Sequence, residues 1–130
     1  MTFELNGDIW TVTRVPPDSI ALIDRLGTRT VATTDPTTMC IYLSDNLRGD
    51  FKKRVIAHEL GHATCFSYGL LPQIRRCCYP SKRIYMEEFI CNFVAEYGEQ
   101  IFALTYEIIG DLAYDIVIDS LAKKVERLAA

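Results

Sequence analysis

Two short runs at the start of the chain alternate in the two-residue rhythm of a strand. Thr2–Leu5 and Asp8–Val15 are separated by Asn6-Gly7. Both turn positions tolerate φ > 0, so the pattern predicts a tight β-hairpin. Trp10, Val12 and Arg14 should share one face of the second strand, with Ile9, Thr11 and Thr13 on the other. Pro16-Pro17 ends the strand. Asp18 or Ser19 can cap a short helix through Leu26, with Ile20, Ile23 and Leu26 at helical spacing and Gly27 as its stop. Thr28–Thr34 and Met39–Leu43, both β-prone, read as a second hairpin around Asp35-Pro36-Thr37-Thr38.

From Leu47 the period lengthens to that of a helix. Leu47, Phe51, Val55, His58, His62 and Cys65 fall on one stripe, and Ile56, Leu60 and Ala63 on another. Ser44-Asp45-Asn46 or Asp50 supply caps, and Gly69 follows the last turn. A helix apolar over so much of its surface is expected to be central and buried. Leu70–Pro80 is expected to be an irregular, basic loop over a cleft, carrying Arg75 and Arg76. Ser81 opens a long helix from about Arg83 through Ala103. The helical pattern resumes after a break near Gly110, with Leu112, Ile116, Val117, Leu121, Val125 and Leu128 continuing an apolar face. Met39–Leu43 runs almost directly into the histidine-bearing helix. This order predicts an edge strand beside the cleft, with Ile41 and Tyr42 offered to an extended peptide.

Composition adds little to this picture. A chain of 130 residues, 49% apolar and 24% charged, is expected to form one domain with its own core. A net charge of −3 excludes a general nucleic-acid footprint. Without a signal peptide or a membrane-length apolar run, the expected location is the cytoplasm. Five cysteines, an odd number and without a C-x-x-C, argue against a disulfide framework. Between Ile84 and Ala122 there are acids but no Lys or Arg, and Glu107, Asp111, Asp115 and Asp119 recur every fourth residue. Such a stripe is either a solvated face or a docking surface for a basic partner.

The chemistry concentrates in His58-Glu59-Leu60-Gly61-His62, which holds the chain's two histidines. On a helix, H-E-x-x-H places both imidazoles on one face to share a metal ion, with zinc the expected occupant. Glu59 is turned toward a neighbouring face as a general base. A catalytic zinc site needs a third protein ligand. With no further histidine, that ligand is a carboxylate or a thiolate. Glu88 is favoured and Glu87 is the alternative. Asn92, one turn after Glu88, can orient a ligating histidine through its outer nitrogen, and Ala95 lets the helices approach. Cys65 and Cys91 are the thiolate alternatives. Tyr42, Tyr68, Tyr79, Tyr85 and Arg75 are candidates to stabilise an oxyanion.

The H-E-x-x-H segment, followed by Glu88-Phe89-Ile90-Cys91-Asn92-Phe93-Val94-Ala95-Glu96, resembles the ImmA/IrrE-like metallopeptidases over about Met39 to Tyr97. Cys91 and Val94 depart from the Ala and Phe usual at those positions. The resemblance implies an α+β, zincin-like minimal metallopeptidase fold, with a small antiparallel or mixed sheet packed on the H-E-x-x-H helix and C-terminal helices. It implies a cytosolic zinc endopeptidase, often of phages or mobile elements, that often acts on a helix-turn-helix repressor.

Three functions are therefore open. The first is zinc-dependent cleavage of a protein or peptide partner. The second is a weakly active or silent zinc-fold protein that works by binding, as an antirepressor or toxin–antitoxin partner does. The third is hydrolysis of a non-peptide substrate. Direct binding to nucleic acid or membrane is not expected.

Overall fold

The structure, a computed structural model, describes residues 1–129, and the side chains of residues 1–110. The fold is α+β. β1 (Thr2–Leu5), β2 (Asp8–Val15), β3 (Ala32–Asp35) and β4 (Cys40–Ser44) form one mixed sheet in the order β1-β2-β4-β3. β1 and β2 are antiparallel, as are β3 and β4, whereas β2 and β4 run parallel. Three α-helices follow: α1 (Gly49–Ser67), α2 (Leu71–Cys77) and α3 (Arg83–Ala129). The chain divides into two compact units, Met1–Glu96 and Tyr97–Ala130.

The first hairpin forms where expected. Asn6 and Gly7 take φ values of 49° and 85°, and Phe3 lies opposite Trp10. Trp10 is fully buried and fastens the hairpin to the end of α1. Its Nε1 donates to Ser67 Oγ at 2.8 Å, its ring stacks on Phe3, and Phe66 meets it edge-on. Asn6 Nδ2 adds a bond to the Ser67 carbonyl. Trp10, Ala32, Ile41, Leu43, Leu47 and Ala63 make the core between sheet and α1. Gly69, at φ 65°, closes α1, and the Leu70 N–H returns to the Cys65 carbonyl at 2.8 Å.

Several elements depart from the pattern-based expectation. The helix expected over residues 18–26 is a single 3-10 turn, Ile20–Leu22, capped by Ser19. Ile23 is already extended. The Asp24 carboxylate accepts from the N–H groups of Leu26 and Thr28, holding a turn that competes with helix propagation. α1 begins after Arg48, without a side-chain cap from Ser44, Asp45, Asn46 or Asp50. The segment over Leu70–Pro80 contains the short helix α2, whose early Pro72 suits a first turn. α3 passes Gly110 without a break. The side chains of Asp111, Asp115 and Asp119, and the apolar positions from Leu112 onward, lie outside the described residues.

The largest correction concerns the strand beside the cleft. β4 is not an edge. It is bonded to β2 on one side and β3 on the other, and Ile41 is 2% exposed. The edge is β3. The unbroken apolar run Met39-Cys40-Ile41-Tyr42-Leu43 is the sequence pattern of an inner strand, and the polar Ala32-Thr33-Thr34-Asp35 that of an edge.

α3 crosses α1 at Gly61. A Cβ there would meet Cys91 Sγ at 3.0 Å, and the Cys91 Cα and Cβ at 3.3 Å. The close approach expected at Ala95 is thus made at Gly61 and Cys91. Gly61→Ala is expected to destabilise the protein by about 1–3 kcal/mol through overpacking. Cys91→Ala should relieve part of that cost, so a double-mutant cycle read by urea unfolding should give non-additive effects. Strict additivity would show that this contact does not set the helix spacing.

Candidate metal centre and cleft

The helical pitch of α1 brings His58 and His62 together, with their Nε2 atoms 3.1 Å apart. Across the Gly61–Cys91 contact, the first turns of α3 deliver two carboxylates. Glu88 faces both imidazoles, with Oε2 3.0 Å from His58 Nε2 and Oε1 3.2 Å from His62 Nε2. One donor atom from each of His58, His62 and Glu88 lies within 4.8 Å of the others, a grouping that can hold a metal ion. Among the described residues this grouping contains neither Cys65 nor Cys91. Those two buried side chains instead interact with each other, and the hydrogen bond from Cys91 lowers the Cys65 pKa to about 7.

Glu87 has a different place. Its Oε2 bonds His62 Nδ1, the nitrogen turned away from the grouping, while its Oε1 lies 3.3 Å from Arg25 Nη1. Arg25 Nη2 also stands 3.7 Å from Glu88 Oε1. A carboxylate on the outer imidazole nitrogen fixes the ring and leaves Nε2 for a metal. That is the contact expected of Asn92. Asn92 is exposed along the cleft wall, and Glu87 occupies the outer nitrogen instead. Arg25 carries no motif signal. It arrives from the loop that replaces the expected helix, so only the folded chain reveals it.

Electrostatics at this point of the cleft favour positive charge. Burial opposes protonation of His62, yet the hydrogen bonds to Glu87 and Glu88 outweigh it and raise its pKa to about 9. Hydrogen bonds from His58 and then His62 hold the Glu88 carboxyl well below the usual carboxylate range. Burial pushes the Glu87 carboxyl up, but His62 and Arg25 bring it down on balance. Two imidazole nitrogens and a carboxylate are donors of the kind that hold a divalent metal ion.

Glu59 is 6% exposed on the adjacent face of α1 and lines the same cleft. Its carboxylate oxygen Oε2 accepts a hydrogen bond from the Thr34 hydroxyl, on edge strand β3. The cleft, about 1090 Å³, is bounded by the Ile20–Pro36 side of the sheet, α1 and the first turns of α3. Of the expected oxyanion candidates, Tyr42 lines it, but strand alternation turns its side chain to the sheet face opposite buried Ile41. Tyr79 and Tyr85 line a separate hollow with Arg76 and Lys82. Tyr68 and Arg75 are exposed elsewhere.

Residues 21–109 match the IrrE N-terminal-like domain of the Peptidase M78 family, a span that includes every residue of this centre. No curated protein and no solved structure matches the chain. Among the described residues, no helix is long and apolar enough to cross a membrane.

Glu88→Ala is expected to abolish stoichiometric zinc binding. Glu87→Gln should keep the stoichiometry and lose affinity by about 10- to 100-fold. Competition against a chromophoric chelator reads both. Loss of zinc from the Glu87 variant, with Glu88→Ala still loaded, would exchange the two roles.

Proposed function

Because the chain belongs to the Peptidase M78 family through its IrrE N-terminal-like domain, we propose that it is a zinc-dependent endopeptidase acting on a protein partner. The observation that carries this reading is the convergence of His58, His62 and Glu88 beside the buried Glu59 in one open cleft. His58, His62 and Glu88 would hold the ion, with Glu87 and Arg25 fixing His62 from behind. Bound zinc supplies Lewis acidity, polarising a peptide carbonyl and making a water more acidic.

The protein's own groups then account for the proton. Glu59 takes it from the attacking water and passes it to the leaving amine, restoring its carboxylate for the next turnover. Burial keeps Glu59 away from bulk solvent. The free edge of β3 offers backbone groups to an extended peptide, a role that moves from Ile41 and Tyr42 on β4 to Ala32–Asp35. Apolar Ile20, Ile23, Leu26 and Val31, all exposed along the cleft wall, suit aliphatic or aromatic side chains of such a peptide. A helix-turn-helix repressor is the substrate class that the family resemblance implies.

A second reading has its own support. The described part of the unit Tyr97–Ala130 exposes Ile101, Phe102, Leu104, Tyr106, Ile108 and Ile109 along α3. Large exposed apolar side chains are what a protein-binding face is built from. A zinc-fold protein acting by binding alone would use it. Glu59→Gln separates the two readings. The variant should retain its zinc and lose cleavage by at least about 100-fold, measured on the partner protein by gel and mass spectrometry. A biological effect that survives Glu59→Gln would sink the peptidase reading in favour of binding.

A further inference from the structure

The peptidase reading assigns the proton to Glu59 but leaves open what aims its carboxylate. We propose that Thr34 is the positioning residue for Glu59, so that the edge strand β3 also sets the general base.

The chemistry of this role rests on the peptidase reading, and its geometry on packing. A carboxylate has two oxygens and, on a helix, several rotamers. Only one orientation presents an oxygen to a water between base and metal, and a misplacement near one ångström costs about 100-fold in rate. The Thr34 hydroxyl donates to Glu59 Oε2, and the same Oγ1 stands 3.2 Å from the Glu59 backbone carbonyl. The single hydroxyl proton serves the carboxylate, and the backbone contact sets Thr34 close against the main chain of Glu59. The bond to Oε2 restricts the side-chain torsions and leaves Oε1 for the water.

The hydroxyl is itself held. Thr34 lies opposite Ile41 in the β3–β4 register, and Ile41 is locked in the core. Ala32, two residues away on the same face, is part of that core too. Thr33 points the other way and anchors the strand by donating to the Ala21 carbonyl. β-Branching further limits the Thr34 χ1 angle. Thr34 therefore reaches Glu59 from a fixed platform. A peptide added to β3 would lie along the strand that aims the base.

The test compares Thr34→Val, which keeps the shape and removes the hydroxyl, with Thr34→Ser, which keeps the hydroxyl. Thr34→Ala replaces the valine variant should that fail to fold. Crystal structures of each should show the Glu59 carboxylate displaced in Thr34→Val and restored in Thr34→Ser. Zinc stoichiometry should stay that of the unmodified protein in all. On unfolded casein as the probe, kcat should fall by about 10- to 100-fold in Thr34→Val with KM nearly unchanged, and recover in Thr34→Ser. A Glu59 carboxylate that stays in place in Thr34→Val overturns the proposal, as does a loss of zinc, which would make Thr34 part of the metal scaffold. Should the unmodified protein leave casein intact, the failure falls on the peptidase reading or on the probe, and the crystallographic comparison still decides the role of Thr34.

Discussion

The close approach of α3 to α1 is the constraint on which the centre depends. Two helices carrying ordinary side chains at their crossing stand 8–10 Å apart. Gly61 has no Cβ, and Cys91 fills the space where one would be. That contact lies between the two histidines on one side, and one turn from Glu88 on the other. A carboxylate delivered from so near reaches both imidazoles at hydrogen-bonding distance. Moved outward by the width of a methyl group, the same side chain would bond one imidazole or neither.

Around the three converging groups, a second set of contacts limits how they can move. Glu87 holds His62 from behind and Arg25 holds Glu87. Thr34 holds Glu59 from the opposite wall. Both outer contacts come from the segment between β2 and β4, which contributes no recognisable motif. Two adjacent glutamates thus divide the work. Successive helical residues are rotated by about 100°, so Glu88 meets the Nε2 atoms of both imidazoles while Glu87 passes beside His62 to its Nδ1. The balance of charge follows from this placement. The carboxylates gather around the imidazoles, Arg25 offsets part of their charge, and the net result is a point in the cleft that favours a cation.

Elements governed by local chemistry were legible in the chain. Asn6-Gly7 requires a two-residue turn, and the strands on either side of it have the expected limits. The H-E-x-x-H spacing needs a helix to make chemical sense, and α1 runs through it to Ser67. Elements decided by competition were not legible. Ile20, Ile23 and Leu26 have helical spacing, but the Asp24 side chain offers its own N–H acceptor and turns the chain. The place of β4 just before α1 suggests an edge, whereas its unbroken apolar run is the pattern of the inner strand it forms.

The amino-acid pattern alone puts two histidines and a glutamate within about one helical turn, and shows that no third histidine completes the set. It favours Glu88, with Glu87 as the alternative, over the thiolates of Cys65 and Cys91, because a His, His, Cys set is unusual for an H-E-x-x-H hydrolase. The folded chain alone reveals which imidazole nitrogen each glutamate meets, which strand lies at the sheet edge beside the cleft, and which residues contact these groups from outside. Those outcomes depend on where α3 crosses α1 and on the order of strands in the sheet. Both are set by long-range packing between segments whose separation along the chain carries no periodic signal.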